Sequence, residues 1–322
     1  MMERCRYIYG PVPSRRLGRS LGLDLVPYKT CSYDCVYCHL GRTTDKTVER
    51  REYVPVADLL EELRRKLAEG KEADYVSLAG SGEPTLHSGM GELIRRIKEM
   101  SDIPLAVFTN GSLLWKPEVR EALAGADLVL PSLDAGDGDL FHYVNRPHEE
   151  VTFERMVEGL EAFTRGFRGR VWMEVLLLGG VTGIRGEVEK IARHLSRCRV
   201  DRIQLSTVAR PPAEGFARPV TREQLSRLQE IFAGRSEIIA PPAADEDGPP
   251  GPGAPYGSVP SGDAVMALLE RRPATPGDIA RGLGMHPMEA LKLLEALKAA
   301  GRVETVSTGG RTFYAVPGHK RL

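Results

Sequence analysis

Short apolar runs alternate with longer amphipathic stretches along residues 20–235. The apolar runs are rich in Val, Leu and Ile, which is typical of strands that helices cover on both faces. They predict six strands, at 21–26, 74–79, 104–109, 127–132, 171–178 and 201–206. The amphipathic stretches repeat apolar residues at helical spacing. They predict six helices, at 56–70, 90–100, 116–125, 152–166, 186–197 and 221–234.

This order of elements indicates the fold class of the larger part of the chain. Six strand-then-helix units predict a parallel sheet with right-handed crossovers. Six units are fewer than a closed eight-stranded barrel requires. We therefore expect an α/β fold, a partial (β/α)6 parallel barrel, over residues 1–239.

A change of composition marks the end of that part. Residues 240–261 contain seven prolines and four glycines, a density that excludes helix and strand interiors and predicts an extended linker. The linker is long enough that the following segment need not pack on the barrel.

Residues 262–322 have a different pattern. Three helix patterns, at 263–272, 275–285 and 286–301, precede two strand patterns around the Gly309–Gly310 turn. This order resembles a winged helix-turn-helix domain. The resemblance implies that the third helix is a recognition helix and that the hairpin is the wing.

Composition and charge exclude several classes of protein. In 322 residues, no run reaches the roughly 18–20 uncharged apolar residues of a spanning helix, and the first residues lack the apolar stretch of a signal peptide. We expect a cytoplasmic protein with no membrane partner. Lys plus Arg and Asp plus Glu are both 44, which excludes a chain that is basic throughout and leaves a local basic surface possible.

Three of the five cysteines form a cluster. Cys31, Cys35 and Cys38 have the spacing C-x3-C-x2-C after the first predicted strand, while Cys5 and Cys198 stand alone. Without an export signal, all five should be reduced thiols. Three thiolates this close cannot lie on one regular element, so a loop must wrap around something, and a cluster of three suggests a metal. A structural zinc site normally has four ligands, often in two separated pairs, and no second pair is present. The spacing of the three cysteines therefore favours three ligands of a [4Fe–4S] cluster. A zinc site and incidental cysteines are the alternatives.

The cysteine spacing, with Tyr37 before the last cysteine, resembles that of the radical S-adenosylmethionine (SAM) superfamily over residues 7–235. The resemblance implies two cofactors, a [4Fe–4S] cluster and SAM, with SAM bound to the iron that no cysteine holds. It also implies an external one-electron donor, because the reduced cluster passes an electron to the sulfonium. The 5′-deoxyadenosyl radical that results abstracts hydrogen from a substrate.

Residues 79–84 resemble the GGEP motif of this superfamily, with Ser81 in place of one glycine. Gly82 allows the backbone to approach a ligand closely, and the resemblance implies that Glu83 accepts hydrogen bonds from the SAM ammonium. Read alone, the segment is also compatible with an ordinary turn and a solvated glutamate.

Further candidate SAM contacts follow later strands, at the edge where parallel α/β folds build their sites. The resemblance implies that Asn110 and Ser132, with Thr109 and Asp134 behind them, contact the SAM carboxylate and ribose. It also implies that Tyr37 offers its backbone, not its ring, near the adenine. Ordinary polar turn residues are the alternative for each of these positions.

Candidate substrate contacts lie in two loops that carry an arginine beside a proline. Arg146 (with Asn145 before it) and Arg210 are suited to binding a phosphate or carboxylate. The arm 10–19 carries three more arginines, and it is either a phosphate-facing patch or a solvated loop.

Parts of residues 11–38 and 209–214 most resemble an uncharacterised group related to wyosine-forming tRNA enzymes. Those enzymes carry extra amino-terminal cysteines, whereas this chain has only Cys5 there. The wyosine reaction is therefore not carried over. The relation favours RNA, in particular tRNA, as the substrate.

The composition of residues 262–322 bears on the same question. They carry nine Lys and Arg against six Asp and Glu, a net charge of +3 that attracts phosphates only mildly. One alternative is a peptide or protein substrate gripped by the winged helix. The other is a DNA-binding regulator that senses SAM without turnover, against which Glu83 and the polar strand ends argue.

Overall fold

The computed structural model describes residues 6–70, 72–239 and 262–318. Its larger part consists of strands and helices in near alternation. The strands are β1 (Ile8–Ser14), β2 (Gly18–Leu23), β3 (Thr30–Cys31), β4 (Asp45–Lys46), β5 (Tyr75–Leu78), β6 (Leu105–Thr109), β7 (Leu128–Pro131), β8 (Arg170–Leu177), β9 (Arg202–Thr207) and β10 (Ser236–Ile238). The helices are α1 (Val56–Ala68), α2 (Met90–Met100), α3 (Pro117–Leu123), α4 (Gly138–Asn145), α5 (Phe153–Gly166), α6 (Arg185–Leu195) and α7 (Arg222–Gln229). Single 3₁₀ turns occur at Pro84–Leu86 and Glu230–Phe232.

One eight-stranded sheet organises this part, in the order β1-β2-β5-β6-β7-β8-β9-β10. The first pair of strands is antiparallel, and every later pair is parallel. β3 and β4 form a small separate pair. The predicted α/β fold with a mostly parallel sheet is confirmed, and the open sheet is consistent with a partial barrel. All six predicted strands are present within a few residues of their expected bounds.

Five strands or helices of this part were not predicted: β1, β10, α4 and the short pair β3 and β4. β1 carries Gly10, with a φ of 99°, and two prolines, and its register with β2 shifts between Tyr9 and Val12. Proline cannot donate a ladder hydrogen bond, so such a strand is confined to a sheet edge, where β1 lies. Its sequence therefore has no strand pattern to recognise.

Both faces of the sheet are buried. Successive side chains of a strand point to opposite faces, so one strand contributes to the clusters on both faces. In β6, Leu105 and Val107 join the main core with Leu93 and Ile97 of α2. Ala106, between them, joins a second cluster on the other face. This second cluster lies beneath the carboxyl ends of the strands, where parallel sheets place their sites.

The carboxyl-terminal segment has its own small core. It contains α8 (Gly262–Leu269), α9 (Pro276–Leu283), α10 (Pro287–Ala299) and the antiparallel hairpin β11 (Glu304–Thr308) and β12 (Arg311–Ala315). The order is the predicted one, three helices and a hairpin. Residues 240–261 and Cys5 lie outside the described residues, so the boundaries 1–239, 240–261 and 262–322 stay a prediction. Nowhere in the described ranges is a helix both long and apolar enough to cross a bilayer.

The carboxyl-terminal segment packs on the sheet, although the linker length gave no reason to expect it. Arg271 pairs with Asp24 at the end of β2 and lies 4.3 Å from the ring centroid of Tyr9. Arg210 Nη2 lies 3.5 Å from Asp278 Oδ2 of α9. Buried ionic and ring contacts therefore hold this segment against the carboxyl edge of the sheet.

Two glycines of α5 give a test of the packing. Alanine favours a helix interior over glycine by about 1 kcal/mol, yet a Cβ at Gly159 would lie 2.2 Å from the backbone nitrogen of Trp115. We expect Gly159→Ala to lower the free energy of unfolding by about 1–3 kcal/mol through overpacking. Gly166, with nothing within 4 Å of its Cβ position, is the control and should tolerate alanine. Equal denaturant midpoints for the two variants would contradict this packing.

Candidate functional site

A cavity of about 770 Å³ opens at the carboxyl edge of the sheet. This volume lies within the range of small-molecule sites, roughly 300–1,000 Å³. Ten of the residues singled out in the sequence line it. They are Cys31, Cys35, Tyr37, Cys38, Gly82, Glu83, Asn110, Ser132, Asp134 and Arg210. Asn145 and Arg146 do not line it.

The three clustered cysteines are free thiols, each partly exposed to the cavity. A nitrogen lies near each sulfur. The pairs are Asn110 Nδ2 with Cys31 Sγ at 3.6 Å, Asn145 Nδ2 with Cys35 Sγ at 3.5 Å, and Lys29 Nζ with Cys38 Sγ at 3.4 Å. Such donors stabilise thiolate character on sulfur. They also tune the reduction potential where sulfur holds iron.

Two of the bare thiols, Cys31 and Cys35, resist ionisation. Burial, followed by the negative charge of Glu83, raises the pKa of Cys31 to about 12. Burial, followed by the neighbouring Cys38, raises the pKa of Cys35 well above its ordinary value. Three thiolates can share this loop only if a cation offsets their charge, and a bound metal provides one.

Among the described residues, no three or more His, Cys, Asp or Glu side chains are arranged so that they could hold a metal ion. The fit to an iron–sulfur cluster rests instead on the donor chemistry. Thiolates are the soft ligands that such clusters take. Here three of them, each beside a nitrogen donor, border a cavity with room for a further ligand. These residues fit the group.

The unpredicted helix α4 positions the cysteine loop. The backbone N–H of Asp34 donates to the carbonyl of Asn145 at 3.1 Å, and that of Val36 donates to the carbonyl of Val144 at 2.9 Å. The last carbonyls of α4, which have no partner inside the helix, therefore accept from the loop. These hydrogen bonds fix the backbone on both sides of Cys35.

Glu83 is buried and joins the ends of two strands. Its Oε1 accepts from the Thr85 N–H at 3.0 Å, the Thr85 hydroxyl at 2.6 Å and the Thr109 hydroxyl at 2.7 Å. Its Oε2 accepts from the Asn110 N–H at 2.7 Å. Burial raises the pKa of this carboxyl, and these hydrogen bonds oppose the shift. Oε2 has one described partner, so it has capacity for another donor.

Gly82 serves a packing role. A Cβ at this position would lie 1.8 Å from the carbonyl oxygen of Thr30. The close approach that Gly82 allows is therefore to the backbone of the cysteine loop, and not to a ligand as the sequence led us to expect. Any side chain at residue 82 would push Cys31 away from the strand ends.

Asp134 is the centre of a buried network. The Tyr37 hydroxyl donates to it, Asn145 Nδ2 donates at 3.2 Å, and the Leu176 N–H donates at 2.9 Å. Burial raises the pKa of Asp134 from its ordinary 3.8 to about 6. The Tyr37 side chain therefore binds a residue of the protein, Asp134, through its hydroxyl. Asn145, expected to face the substrate, lies behind the cavity and links Asp134 to Cys35.

The two arginines chosen for their neighbouring prolines have different surroundings. Arg146 lies outside the cavity, because Nη1 pairs with Glu214 at 2.7 Å. Arg210 lines the cavity, where Nε donates to the carbonyl of Pro273 at 3.2 Å and Nη2 faces Asp278. Arg210 therefore stays a candidate for substrate contact, and Arg146 is occupied by a carboxylate.

Sequence reasoning missed the arginines that the carboxyl-terminal segment places on the cavity wall, beside those of the amino-terminal arm. The carboxyl-terminal segment contributes four arginines, and the amino-terminal arm contributes two. They are Arg271, Arg272, Arg281, Arg311, Arg15 and Arg16. Arg272 precedes a proline, as Arg146 and Arg210 do, so the same signal could have found it. Arg271, Arg281 and Arg311 carry no local signal, because only the docking of the segment brings them to the cavity. Arg15 and Arg16 belong to the arm that was expected to be either a phosphate-facing patch or a solvated loop, and both line the cavity.

Comparison with known proteins identifies several relatives. A family model described as the radical SAM superfamily matches residues 25–195. A UPF0026 protein of Methanocaldococcus jannaschii is 36% identical over 233 residues, which cover 72% of this chain and 71% of the relative. A protein of Brachyspira hyodysenteriae named GTPase Obg is 36% identical over 317 residues. The match covers 97% of this chain but only 45% of that relative.

Solved structures share the fold. A radical SAM methyltransferase from Sphaerobacter thermophilus superposes with a TM-score of 0.53 at 18% identity, covering 71% of this chain and 68% of that one. SuiB of Streptococcus suis, bound to its precursor peptide SuiA, superposes with a TM-score of 0.52 at 18% identity, covering 67% and 48%. At these identities the likeness concerns the fold alone.

The Asp134 network predicts a pH dependence of the metal-free protein. The folded state keeps a proton on Asp134 up to about pH 6, and the unfolded chain releases it near 3.8. Stability from this group is therefore present below pH 3.8 and lost as pH rises to 6, by up to about 3 kcal/mol. In urea unfolding, Asp134→Asn should lack this loss. A parent-to-variant difference that is constant from pH 4 to 6.5 would contradict the prediction.

Proposed function

The chain belongs to the radical SAM superfamily, whose members are enzymes that use a [4Fe–4S] cluster and SAM, and from this premise we propose that it generates a 5′-deoxyadenosyl radical. The substrate lies between the sheet and the carboxyl-terminal segment. One observation carries the proposal: the three thiols and the polar strand ends border a single cavity. We place the reaction in the cytoplasm, where thiols stay reduced.

Cys31, Cys35 and Cys38 would hold three irons of the cluster, leaving the fourth for SAM. Bound there, the two cofactors supply the radical after one-electron reduction by an external donor. Asn110 and Asn145 donate toward the sulfurs, and such hydrogen bonds adjust the reduction potential of a cluster. Asp134 fixes the amide of Asn145, and through that amide it acts indirectly on Cys35.

SAM would bind along the strand ends. Oε2 of Glu83 would accept from its ammonium. The side chains of Asn110 and Ser132 face the same cavity and would position its carboxylate and ribose. The carboxylate oxygens of Asp134 already accept from three protein donors. Asp134 therefore holds Tyr37 and Asn145 in place.

RNA is the substrate that the sequence favours, and the relation to wyosine-forming enzymes stays a prediction. The expected recognition helix, α10, carries Lys292 and Lys298 against Glu289 and Glu295, which gives no stripe of positive charge for phosphates. Four arginines of the segment, Arg271, Arg272, Arg281 and Arg311, line the cavity instead. RNA would have to enter the cavity itself, past α8 and α9.

The two other candidates have less support from the geometry. A peptide is the partner named for SuiB, and that likeness concerns the fold. A regulator that never turns over would have no use for a cavity with room beyond SAM. We therefore favour catalysis on a ligand that enters this cavity.

The first test concerns the cluster. Anaerobically reconstituted protein should hold about four irons and four sulfides per chain. Cys31→Ala, Cys35→Ala and Cys38→Ala should each lose most of the iron and the visible absorbance. Cys198→Ala is the control, because Cys198 is buried away from the cavity. Stoichiometric zinc without iron in the parent would contradict the assignment.

The second test compares two buried glutamates. Glu83→Gln should weaken SAM binding to the reconstituted protein by about 1.5–3 kcal/mol, the value of a charge-assisted hydrogen bond. Glu62 accepts from the backbone N–H groups of Arg6, Tyr7 and Ile8 and lies outside the cavity. Glu62→Gln should cost stability and leave SAM affinity unchanged. If titration calorimetry gives both variants the parent's affinity, Glu83 does not bind the ammonium.

A further inference from the structure

Arginines from opposite parts of the chain face the same cavity. The set comprises Arg15 of the amino-terminal arm, Arg210 after β9, and four residues of the carboxyl-terminal segment. We call it the arginine belt: Arg15, Arg210, Arg271, Arg272, Arg281 and Arg311. Resting on the proposed function, we propose that the substrate is a small phosphorylated molecule with two or more negative charges, whose phosphates the arginine belt binds.

Two carboxylates, Asp24 and Asp278, pair with three members of the belt. Arg271 has Asp24 as its partner. Asp278 is shared, since it lies 3.5 Å from Arg210 Nη2 and 3.2 Å from Arg281 Nη2. The nearby Glu174 is paired with Arg16, which is not part of the belt.

Two members of the belt have no carboxylate of their own. Within the described residues, neither Arg15 nor Arg272 has an ion pair within 4.0 Å. Both guanidinium groups border the cavity. Positive charge is therefore in excess at this wall, and a polyanionic ligand would balance it.

The surroundings of Arg210 agree with this excess. Its side chain is 14% exposed. Burial, followed by the positive charge of Arg272, lowers the pKa of Arg210 to about 9, and Asp278 opposes the shift only in part. The group is still a cation at neutral pH. A protein that buries a guanidinium beside other cations destabilises itself unless an anion joins them.

The chemistry of the belt favours phosphate. Guanidinium groups bind phosphate oxygens in bidentate pairs, and several such groups can share one phosphate chain. The cysteines lie elsewhere on the same cavity wall, so a ligand held by its phosphates would reach toward the SAM side with its remaining atoms. Because the belt is built from both parts of the chain, it favours a small ligand between them over an RNA strand.

Binding measurements on the full-length reconstituted protein test the proposal. Inorganic pyrophosphate and ATP should bind. Arg15→Ala and Arg272→Ala should each weaken binding roughly tenfold or more, since each loses a charge-assisted contact. Arg19→Ala and Arg302→Ala are the controls, because these arginines belong to the same two segments and lie outside the cavity lining. Both controls should bind pyrophosphate like the parent.

Other outcomes overturn the proposal. One is that neither pyrophosphate nor ATP binds. Another is that they bind to the Arg15 and Arg272 variants as tightly as to the parent. Citrate bound as tightly as pyrophosphate, with the same arginine dependence, would contradict phosphate as the recognised group. Unmodified tRNA that binds more tightly than ATP and depends on the same arginines would replace the small ligand by RNA.

The same measurements separate this proposal from the proposed function. Binding of pyrophosphate requires neither cluster nor SAM, so it can be repeated on metal-free protein. Loss of 5′-deoxyadenosine formation with intact, arginine-dependent binding would overturn the proposed function alone. Normal 5′-deoxyadenosine formation by a protein that ignores phosphates would overturn the phosphate assignment alone.

Discussion

A buried carboxylate ties together the parts of the molecule on which the site depends. Glu83 accepts hydrogen bonds from Thr85, Thr109 and the backbone of Asn110, so it joins the end of β5 to the end of β6. Its own N–H donates to the carbonyl of Thr30 at 3.1 Å, which adds the cysteine loop. Burying a carboxylate is expensive unless hydrogen bonds satisfy it. The same group that costs stability therefore fixes the geometry of the cavity.

The amide of Asn110 extends this arrangement to the sulfur atoms. Its Nδ2 donates to Ser32 at 2.9 Å and lies 3.6 Å from Cys31 Sγ. Asn145 does the same for Cys35, and Asp134 holds it from behind. Backbone and side-chain hydrogen bonds thus position two of the three thiols before any metal is bound, so less order has to be gained on binding.

The fold was predictable where local pattern decides it. The six parallel strands are continuous apolar runs buried on both faces, and Cys31 and Glu83 belong to motifs of fixed spacing. α4 has a local signal in its N-cap Asp137 and its buried Phe141 and Val144, but eight residues are too few for the helical period to stand out. β1 was missed because glycine and proline conceal an edge strand. The position of Arg272 over the cavity depends on how two hydrophobic cores dock, and no local pattern contains that information.

The docking changes how the carboxyl-terminal segment is understood, because four of its arginines line the cavity. The central claim is that three cysteines hold an iron–sulfur cluster inside this cavity. Anomalous diffraction at the iron edge, from crystals of anaerobically reconstituted protein grown with SAM, tests it most directly. The account predicts a compact [4Fe–4S] peak bonded to Cys31, Cys35 and Cys38, with SAM density beside Glu83. A single metal ion on these thiols, or SAM bound elsewhere, would contradict it.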